Sequence, residues 1–437
     1  MKIGFFLENA YYNDIDFSKP ENGNPGLRGT QYMTWIIACK LSQRGWNVFM
    51  FAPCIDKMPD TMTTVCCPDE KSAVRLAVKY GIDIMIFRGK HENIPLFKVI
   101  DQSKIKCIIW SHNFEDYPLA EAMADCQFVM RNVCVSRQQY ERLRDHRLFD
   151  KSTYIENGLD FDHIDSSCQD EHLPKQNIVT FLGTLEWGKG FYHLAKIWHI
   201  VLKAVPDAQL YVLGKGNIGS GLILGKYQLS DEEYEEKFMK YLTDPDGAVL
   251  PSVHFFGTVG GKKKEQLLKQ SKVGVAKAGG LTETFCIVAI EFQAYGVPVA
   301  AKKGAGLQDT VRNGIDGLLI SRDRALAKAI VRLLKDDELA AEMGKNGYRK
   351  VRERFDLDQL TDQWEQLIED VYGDIPQKPD YECHYLMNQG KWLRELNRRF
   401  QTSFIGRHSP SILKYEMMLK KTKRRLYLLK RRLLCQK

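Results

Sequence analysis

Short apolar runs alternate with amphipathic stretches through the first half of the chain. Seven of these runs have the length and composition of buried strands: KIGFFLE, WNVFMFAP, MTTVCC, IDIMIFRG, IKCIIWSH, FVMRNVCVS and STYIEN. Helical periodicity separates several of them, as in residues 30–44 and 71–80. Apolar strands that alternate with amphipathic helices predict a doubly wound, mainly parallel sheet. Such a sheet binds its ligands at the carboxyl ends of the strands.

A second series of strands and helices begins near residue 177 with NIVTFLGT and continues with AQLYVLGKG, VHFFGT, VGVAKA and GVPVAA. Polar residues without periodicity precede it and predict a linker. Near its end QLTDQWEQLIEDVY is acidic and amphipathic, and we expect this helix to pack back on the first domain. The predicted organisation is a first domain at 1–165, a linker at 166–176, a second domain at 177–356, a returning helix at 357–375 and a tail at 376–437.

The charge is unevenly distributed between the body of the chain and its tail. The net charge is +8, but residues 378–437 hold 16 Lys/Arg and 4 Asp/Glu, so the tail carries +12 and the rest −4. A mildly acidic body argues against binding of nucleic acid. No apolar run reaches the roughly 18–20 residues of a membrane span. The N-terminus is typical of a first strand and not of a signal peptide.

The eleven cysteines are scattered without a CxxC pair or the spacing of a metal site. This usage predicts reduced, mostly buried thiols in a cytoplasmic protein with no protein-bound metal.

The tail predicts a basic amphipathic helix that begins after Ser409 and Pro410. Its apolar residues fall on a 3–4 repeat, and Lys and Arg surround them. This pattern favours an anionic membrane surface. A short coiled coil, a dock onto another subunit and a solvated, frayed tail are the alternatives.

The stretch VGVAKAGGLTETFCIVAIEFQAYGVPVAAKKGAGLQDTVRNGIDGLLI at 273–320 reads as strand, glycine turn, helix, strand and turn. We expect the helix to begin near Glu283 and to carry Glu291 about 80° further round and roughly 12 Å further along. Gly279 and Gly280 would let a backbone approach a ligand closely. The alternative is that Glu283 is only an N-terminal charge on the helix dipole and Glu291 a solvated charge.

Other candidates lie where predicted strands end. Gly29 ends a glycine-containing loop. This loop either binds a phosphate or the acceptor, or it is an ordinary connecting loop. His112 is placed for proton or hydroxyl chemistry, or is a hydrogen-bonded structural histidine. Ser136 is predicted to be an N-cap, with ligand contact as the second interpretation. Lys189, between two glycines, can reach a phosphate or is a solvated turn residue.

Taken in order along residues 1–372, these motifs resemble those of a retaining glycosyltransferase of family four. The most specific segment is the E-x7-E element from Glu283 to Glu291, followed by GVPVAA and GAGLQDTVRNGIDGLLI. GTLEWGKG, NGLD at 157–160 and VS at 135–136 occur in the expected order. The resemblance implies the GT-B fold, which is α/β with two Rossmann-like doubly wound domains and an interdomain cleft, here with a basic helical C-terminal tail.

The resemblance also implies roles for these residues. Glu283 would contact hydroxyls of the donor sugar and Glu291 the ribose of the nucleotide. Lys189 would hold the diphosphate, and His112 would lie near the anomeric carbon. Gly29 would help to form the phosphate and acceptor side. The expected catalytic residues are Glu283, His112 and Lys189, and the expected substrate-binding residues are Gly29, Gly183, Thr184, Thr284, Phe285, Cys286 and Glu291.

Three positions depart from the family's pattern. Thr184 stands where an arginine usually pairs with the lysine, so one cationic phosphate contact is missing, and Arg28 or Lys277 is open as its replacement. Cys286 stands where glycine is frequent. Residues 276–278, AKA, replace the usual Pro-Ser.

The expected function is transfer of a sugar, with retention, from a nucleoside diphosphate sugar to a glycan or lipid-linked acceptor in cell-surface polysaccharide biosynthesis. The expected partners are the nucleotide-sugar, the acceptor and an anionic membrane surface, with no nucleic acid and no cofactor or bound metal. The expected location is the cytoplasm, peripheral on the inner face of the membrane. The alternatives are a non-catalytic nucleotide-sugar-binding or scaffold protein and another GT-B enzyme such as a phosphorylase or epimerase.

Overall fold

The structure is a computed structural model of the 437-residue chain. It describes every residue except 13, 169–174, 217–222, 278–282, 305, 383–389 and 435–437, and it also leaves out the side chains of 166–168 and 427–434. Two parallel β-sheets, each covered by helices on both faces, form the cores of two α/β domains. The predicted fold class is confirmed.

The first sheet has seven parallel strands in the order β3-β2-β1-β4-β5-β6-β7. Each strand is an apolar run whose side chains pack against helices on both faces, which is why these runs are continuous rather than alternating. The order reverses between β1 and β4, and a ligand crevice forms at such a switch point. The strands are β1 Lys2–Phe6, β2 Asn47–Ala52, β3 Thr63–Cys66, β4 Ile84–Arg88, β5 Lys106–Ser111, β6 Val129–Cys134 and β7 Ser152–Tyr154.

Helices connect these parallel strands by crossovers, except between β2 and β3, where residues 53–62 form a loop. The apolar faces of the helices meet the strands in two clusters, one on each side of the sheet. The helices are α1 Gly29–Gln43, α2 Glu70–Tyr80, α3 Ile94–Ser103, α4 Tyr117–Asp125, α5 Arg137–Glu141 and α6 Phe161–Cys168, with 3-10 turns at Pro20–Asn22, His91–Asn93 and Arg147–Lys151.

The second sheet has six parallel strands in the order β10-β9-β8-β11-β12-β13, with its switch point between β8 and β11. The strands are β8 Ile178–Leu182, β9 Gln209–Leu213, β10 Val253–Gly257, β11 Val273–Val275, β12 Val299–Lys302 and β13 Gly317–Ile320. The helices are α7 Phe191–Ala204, α8 Glu232–Met239, α9 Gly261–Gln270, α10 Ile287–Ala294, α11 Leu307–Thr310, α12 Asp323–Lys335 and α13 Asp337–Arg354.

The chain crosses between the domains twice, and the two crossings lie side by side. The first runs through α6, which occupies the first three residues of the predicted linker. The second follows α13. The Leu159 N–H donates to Phe355 O at 2.9 Å, and the Leu357 N–H donates to Leu159 O at 3.0 Å. Beside them Arg354 forms a two-pronged ion pair with Glu156, at 2.7 and 2.8 Å.

After the second crossing, α14 (Leu357–Tyr372) packs on the first domain. Its Trp364 ring lies 4.5 Å from the Trp110 ring of β5, measured between centroids. Arg44 at the end of α1 bonds Asp362 at 2.5 Å and Glu365 at 2.9 Å. The acidic face of α14 therefore meets a basic residue of α1 while its apolar face joins the core.

The tail forms two helices, α15 (Lys391–Gln401) and α16 (Ile412–Leu434). Only α16 is predicted from the sequence. We call α15, α16 and the turn between them the hairpin. It is anchored to the first domain through buried Asp145, which accepts hydrogen bonds from Asn397 at 2.8 Å and from the Ile412 N–H at 2.6 Å. Leu413 is buried in the first domain's core. The tail is therefore docked at its base and is not frayed there.

None of the helices in the described part of the chain has the length and apolar character to cross a membrane.

Candidate active site

The two switch points face one another across a cleft, and hydrogen bonds join their rims. The Thr284 hydroxyl, on the loop after β11, donates to His112 O at the end of β5, at 2.6 Å. The Ser136 hydroxyl donates to Thr284 O at 2.5 Å. That hydroxyl also accepts from the Gln139 N–H at 3.2 Å, which confirms Ser136 as the N-cap of α5. One threonine thus ties the second domain to two strand ends of the first.

The expected helix start at Glu283 is wrong. Helix α10 begins at Ile287, after Cys286, which has a left-handed backbone with φ +72°. Residues before it form a turn in which Glu283 O accepts from the Gly306 N–H at 2.8 Å. A Cβ at Gly306 would lie 2.0 Å from Thr284 O, so only glycine fits beneath this turn. Glu283 and Glu291 therefore do not share one helix, and the predicted angular spacing does not apply.

The Glu283 carboxylate lies between two lysines at the carboxyl edge of the second sheet. The Lys189 ammonium donates to Glu283 Oε2 at 2.9 Å, and the Lys277 ammonium lies 3.9 Å from the same oxygen. Lys189 comes from the turn between β8 and α7, and Lys277 follows β11. The site therefore combines residues from both strands of the switch point.

Burial and charge act in opposite directions on these three groups. Burial alone would raise the pKa of Glu283, but Lys189 and Lys277 together hold the pKa of that carboxyl below its usual value. Burial would lower the pKa of Lys189, and Glu283 reverses this and raises it. The pKa of Lys277, which is only 2 % exposed, is lowered by burial. Two ammonium groups around one carboxylate leave an excess of positive charge, which suits an anionic ligand.

His112 is buried on the first domain's rim, and its ring lies 4.7 Å from the Trp110 ring. Its Nε2 has no hydrogen-bond partner among the described residues. Burial, with a smaller effect from Arg88, lowers the pKa of His112 to about 3. The imidazole is therefore neutral at physiological pH, and its Nε2 is buried and unpaired among the described residues.

Glu291 lies in the second turn of α10 and bonds Lys264 of α9 at 2.7 Å. Its side chain is 13 % exposed, so the alternative of a solvated charge is wrong. Near Lys264 the two domains touch again, because the Gly261 N–H donates to Asn24 O at 3.1 Å. The Glu291–Lys264 pair is therefore a second charged group in the same interdomain region, apart from Glu283.

The remaining predicted residues divide into those at the cleft and those in the core. Gly29 begins α1 and packs on Ile287, because a Cβ there would lie 3.3 Å from its Cγ2. Gly183, with φ +150°, lies beneath the stem of Lys189, and Thr184 follows it. The Phe285 ring packs in the core edge-on to Phe355, so its side chain does not face the cleft.

The Cys286 side chain is buried as well, and burial raises the pKa of its thiol to about 12. Gly279 and Gly280 lie outside the described residues.

A first-domain pocket was not predicted from the sequence. This cavity of about 820 Å³ lies at the first switch point and is lined by residues that include Glu8, Arg88, Lys90, Asn113 and Phe114. Glu8 pairs with Arg88 at 3.0 Å and with Lys90. The Arg88 Nε is buried without a partner among the described residues. Charged residues at the carboxyl ends of β1 and β4 are the signal that could have indicated it.

The chain is similar to known proteins in sequence and in fold. Residues 165–350 match the family model described as glycosyl transferases group 1. The capsular polysaccharide biosynthesis glycosyltransferase CapM of Staphylococcus aureus is 24% identical over 225 residues, 50% of this chain and 53% of CapM. The phosphatidyl-myo-inositol mannosyltransferase of Mycobacterium leprae is 29% identical over 222 residues, again 50% of this chain and 53% of that protein. The chain thus spans about half the length of these relatives.

Solved structures match over more of the chain. Sucrose-phosphate synthase from Thermosynechococcus elongatus superposes with a TM-score of 0.65 and 19% identity, covering 86% of this chain and 100% of that structure. HepE of Anabaena, in complex with UDP and glucose, superposes with a TM-score of 0.60 and 14% identity, covering 85% of this chain and 100% of HepE. The chain therefore has the GT-B fold, and its second domain matches the group 1 glycosyltransferases in sequence.

Proposed function

We propose that this chain is a retaining glycosyltransferase that transfers a sugar from a nucleoside diphosphate sugar to a glycan or lipid-linked acceptor in cell-surface polysaccharide biosynthesis. The observation that carries the proposal is the Glu283 carboxylate held between Lys189 and Lys277 at the second switch point. The name of CapM and the UDP-glucose complex of HepE support the substrate class. No metal or cofactor is required by the proposal, and that expectation stays a prediction.

The residues fit the charge that this reaction develops. As the bond between the anomeric carbon and the phosphate oxygen breaks, negative charge grows on the diphosphate, and two lysines beside it stabilise that charge. The acceptor hydroxyl attacks on the same face and its proton passes to the departing diphosphate. Glu283 would then accept hydrogen bonds from the sugar hydroxyls, and neutral His112 would contact the same sugar from the first domain. Glu291 would bind the ribose.

Lys277 would supply the cation that is missing at Thr184. It reaches the same carboxylate as Lys189 from the neighbouring strand, whereas Arg28 occupies the N-cap position of α1. The second cation would therefore come from β11 and not from the turn after β8.

Glu283→Gln tests the function. We expect a loss of about 100-fold or more in transfer, measured with a nucleoside diphosphate sugar and a membrane extract as acceptor source. The matched control is Glu342→Gln, an exposed glutamate on α13, which should retain full activity. Wild-type protein that binds nucleoside diphosphate sugars but neither transfers nor hydrolyses them would instead support the non-catalytic alternative. Unchanged activity in Glu283→Gln would overturn the assignment of the site.

A further inference from the structure

Helix α15 exposes its apolar face and buries a charged face, which is the reverse of an ordinary surface helix. Its apolar residues Trp392, Leu393, Leu396 and Phe400 are between 43 and 56 % exposed. They recur at the spacing of one helical face, so they form a single stripe. A surface helix normally turns such a stripe inward, because burial of apolar area stabilises the fold.

The charged face of α15 is the buried one. Glu395 bonds Arg144 of the first domain at 3.1 Å, and Arg394 lies 3.4 Å from Asp145. Arg394 also pairs with Glu416 of α16. Since these ion pairs fix which face of α15 points inward, the apolar stripe is held outward by the fold.

Further large apolar residues are exposed after α15. Phe404 and Ile405, in the turn that follows, are 83 % and 84 % exposed. Met418, Leu419 and Leu426 on α16 are also exposed. We call these three residues, the turn pair and the α15 stripe the hairpin surface. So many large apolar residues exposed within one short stretch of the chain are typical of a contact site and not of singly scattered exposed residues.

The charge around the hairpin surface is positive. Residues 396–426 contain nine Lys/Arg and one acidic residue, Glu416. Glu416 is engaged by Arg142 and Arg394, so its charge is neutralised within the protein. A second copy of this chain would bring like charges together, which disfavours a dimer through this face. Apolar side chains that include Trp and Phe, set among Lys and Arg, match an anionic lipid interface.

We propose that the hairpin surface docks the protein on an anionic membrane, with Phe404 and Ile405 inserted among the lipids. The position also relates the surface to the first-domain pocket. Arg142, which pairs with Glu416, stacks on Phe114 at 5.0 Å, and Phe114 lines that pocket. If the proposed function holds, a lipid-linked acceptor would reach the pocket directly from the membrane surface. The docking itself does not depend on that function.

Flotation of the full-length protein with lipid vesicles tests the proposal. We expect binding to phosphatidylglycerol-containing vesicles and much weaker binding to pure phosphatidylcholine, with salt reducing the former. The double variant Phe404→Ser/Ile405→Ser should reduce the partition coefficient by about tenfold or more, because it removes two inserted apolar side chains. The matched control is Ile223→Ser, which changes an apolar residue of the second domain that is 76 % exposed.

Several outcomes would overturn the proposal. Equal flotation of the double variant and wild type would exclude this surface, and equal loss in Ile223→Ser would show a non-specific effect. A concentration-dependent dimer without vesicles that Phe404→Ser/Ile405→Ser dissociates would assign the surface to a second copy. Glu283→Gln should float like wild type. A failure of the proposed enzymatic function can therefore be distinguished from a failure of membrane docking.

Discussion

The two rims of the cleft present different chemistry. The second domain offers three charged groups, Glu283, Lys189 and Lys277, from two neighbouring strand ends. The first domain offers His112, which is neutral, beside the Trp110 ring and a backbone carbonyl bonded to Thr284. The second rim therefore presents charged groups at its contact with the first domain, whereas the first rim presents a neutral histidine there and keeps its charged residues in the first-domain pocket.

This difference indicates how the work is divided. Under the proposed function the diphosphate of the donor would need preorganised positive charge, and Lys189 and Lys277 would provide it in a partly buried setting where it is effective. Under the proposed function the sugar and its acceptor would be neutral at the reacting atoms, so the neutral His112 would suit them. The four predictions below test this division, in order of decreasing effect.

Of the variants that compare the two rims, replacement of Lys277 should have the largest effect. We expect Lys277→Met to lower kcat/KM by about 100-fold, because it removes one of two cations from the leaving diphosphate. Lys277→Arg should retain more activity. Adding Thr184→Arg to Lys277→Met should restore part of the loss, since it returns a cation from the other strand end. Steady-state kinetics check this, and full activity in Lys277→Met would contradict the charge assigned to this rim.

The neutrality of His112 should appear as pH-dependent stability. Its pKa is about 3 in the folded protein and about 6.5 when unfolded, so below pH 6.5 the unfolded chain binds the extra proton. The contribution of neutral His112 to the free energy of unfolding is therefore fully present above pH 6.5 and is lost as the pH falls below it. Between pH 7.5 and 5.0 wild type should lose about 2 kcal/mol more than His112→Gln in urea unfolding. Parallel pH profiles would show that the pKa of His112 is not lowered in the folded protein.

Glu291 should affect donor binding more than turnover. We expect Glu291→Gln to weaken binding of a nucleoside diphosphate by about tenfold, because a carboxylate hydrogen bond to a hydroxyl is lost. The kcat should change little. Calorimetric titration measures the affinity, with Glu342→Gln as the matched control. An unchanged dissociation constant would separate Glu291 from the nucleotide site.

The smallest effect is expected from the contact between the rims. A Cβ at Gly260 would lie 2.7 Å from Gly26 N, so Gly260→Ala must push the two domains slightly apart. We expect a several-fold drop in transfer, since closure excludes water and aligns the substrates. Gly373→Ala is the control, because a Cβ there has its nearest neighbour at 3.4 Å. Equal activity of the two variants would show that this closed contact is not required.

Most of the fold could be predicted because the strands are apolar runs with helical stretches between them. Two elements could not. Helix α10 begins four residues after Glu283, because Thr284 and Gly306 hold the preceding turn through contacts distant in sequence. Helix α15 has its apolar face in solvent, so its pattern does not indicate how it packs.

The candidate site was predicted in part. Glu283 and Lys189 lie in recognisable motifs, and the structure brings them together at 2.9 Å. Lys277 lies where the usual motif is absent, so only the geometry favours it over Arg28. The first-domain pocket depends on pairs such as Glu8 and Arg88, which are 80 residues apart, and a single sequence does not reveal such a pairing.

The paired crossings at Leu159 and Phe355–Leu357 also constrain how the cleft can open. Two chain segments that are hydrogen-bonded side by side can bend together, but they resist twisting and lateral sliding. We therefore expect domain opening to be a rotation about an axis beside the Arg354–Glu156 pair. The two rims would then separate and return to the same alignment each time the cleft opens and closes. Thr284 would therefore re-form its hydrogen bonds with His112 and Ser136 at each closure.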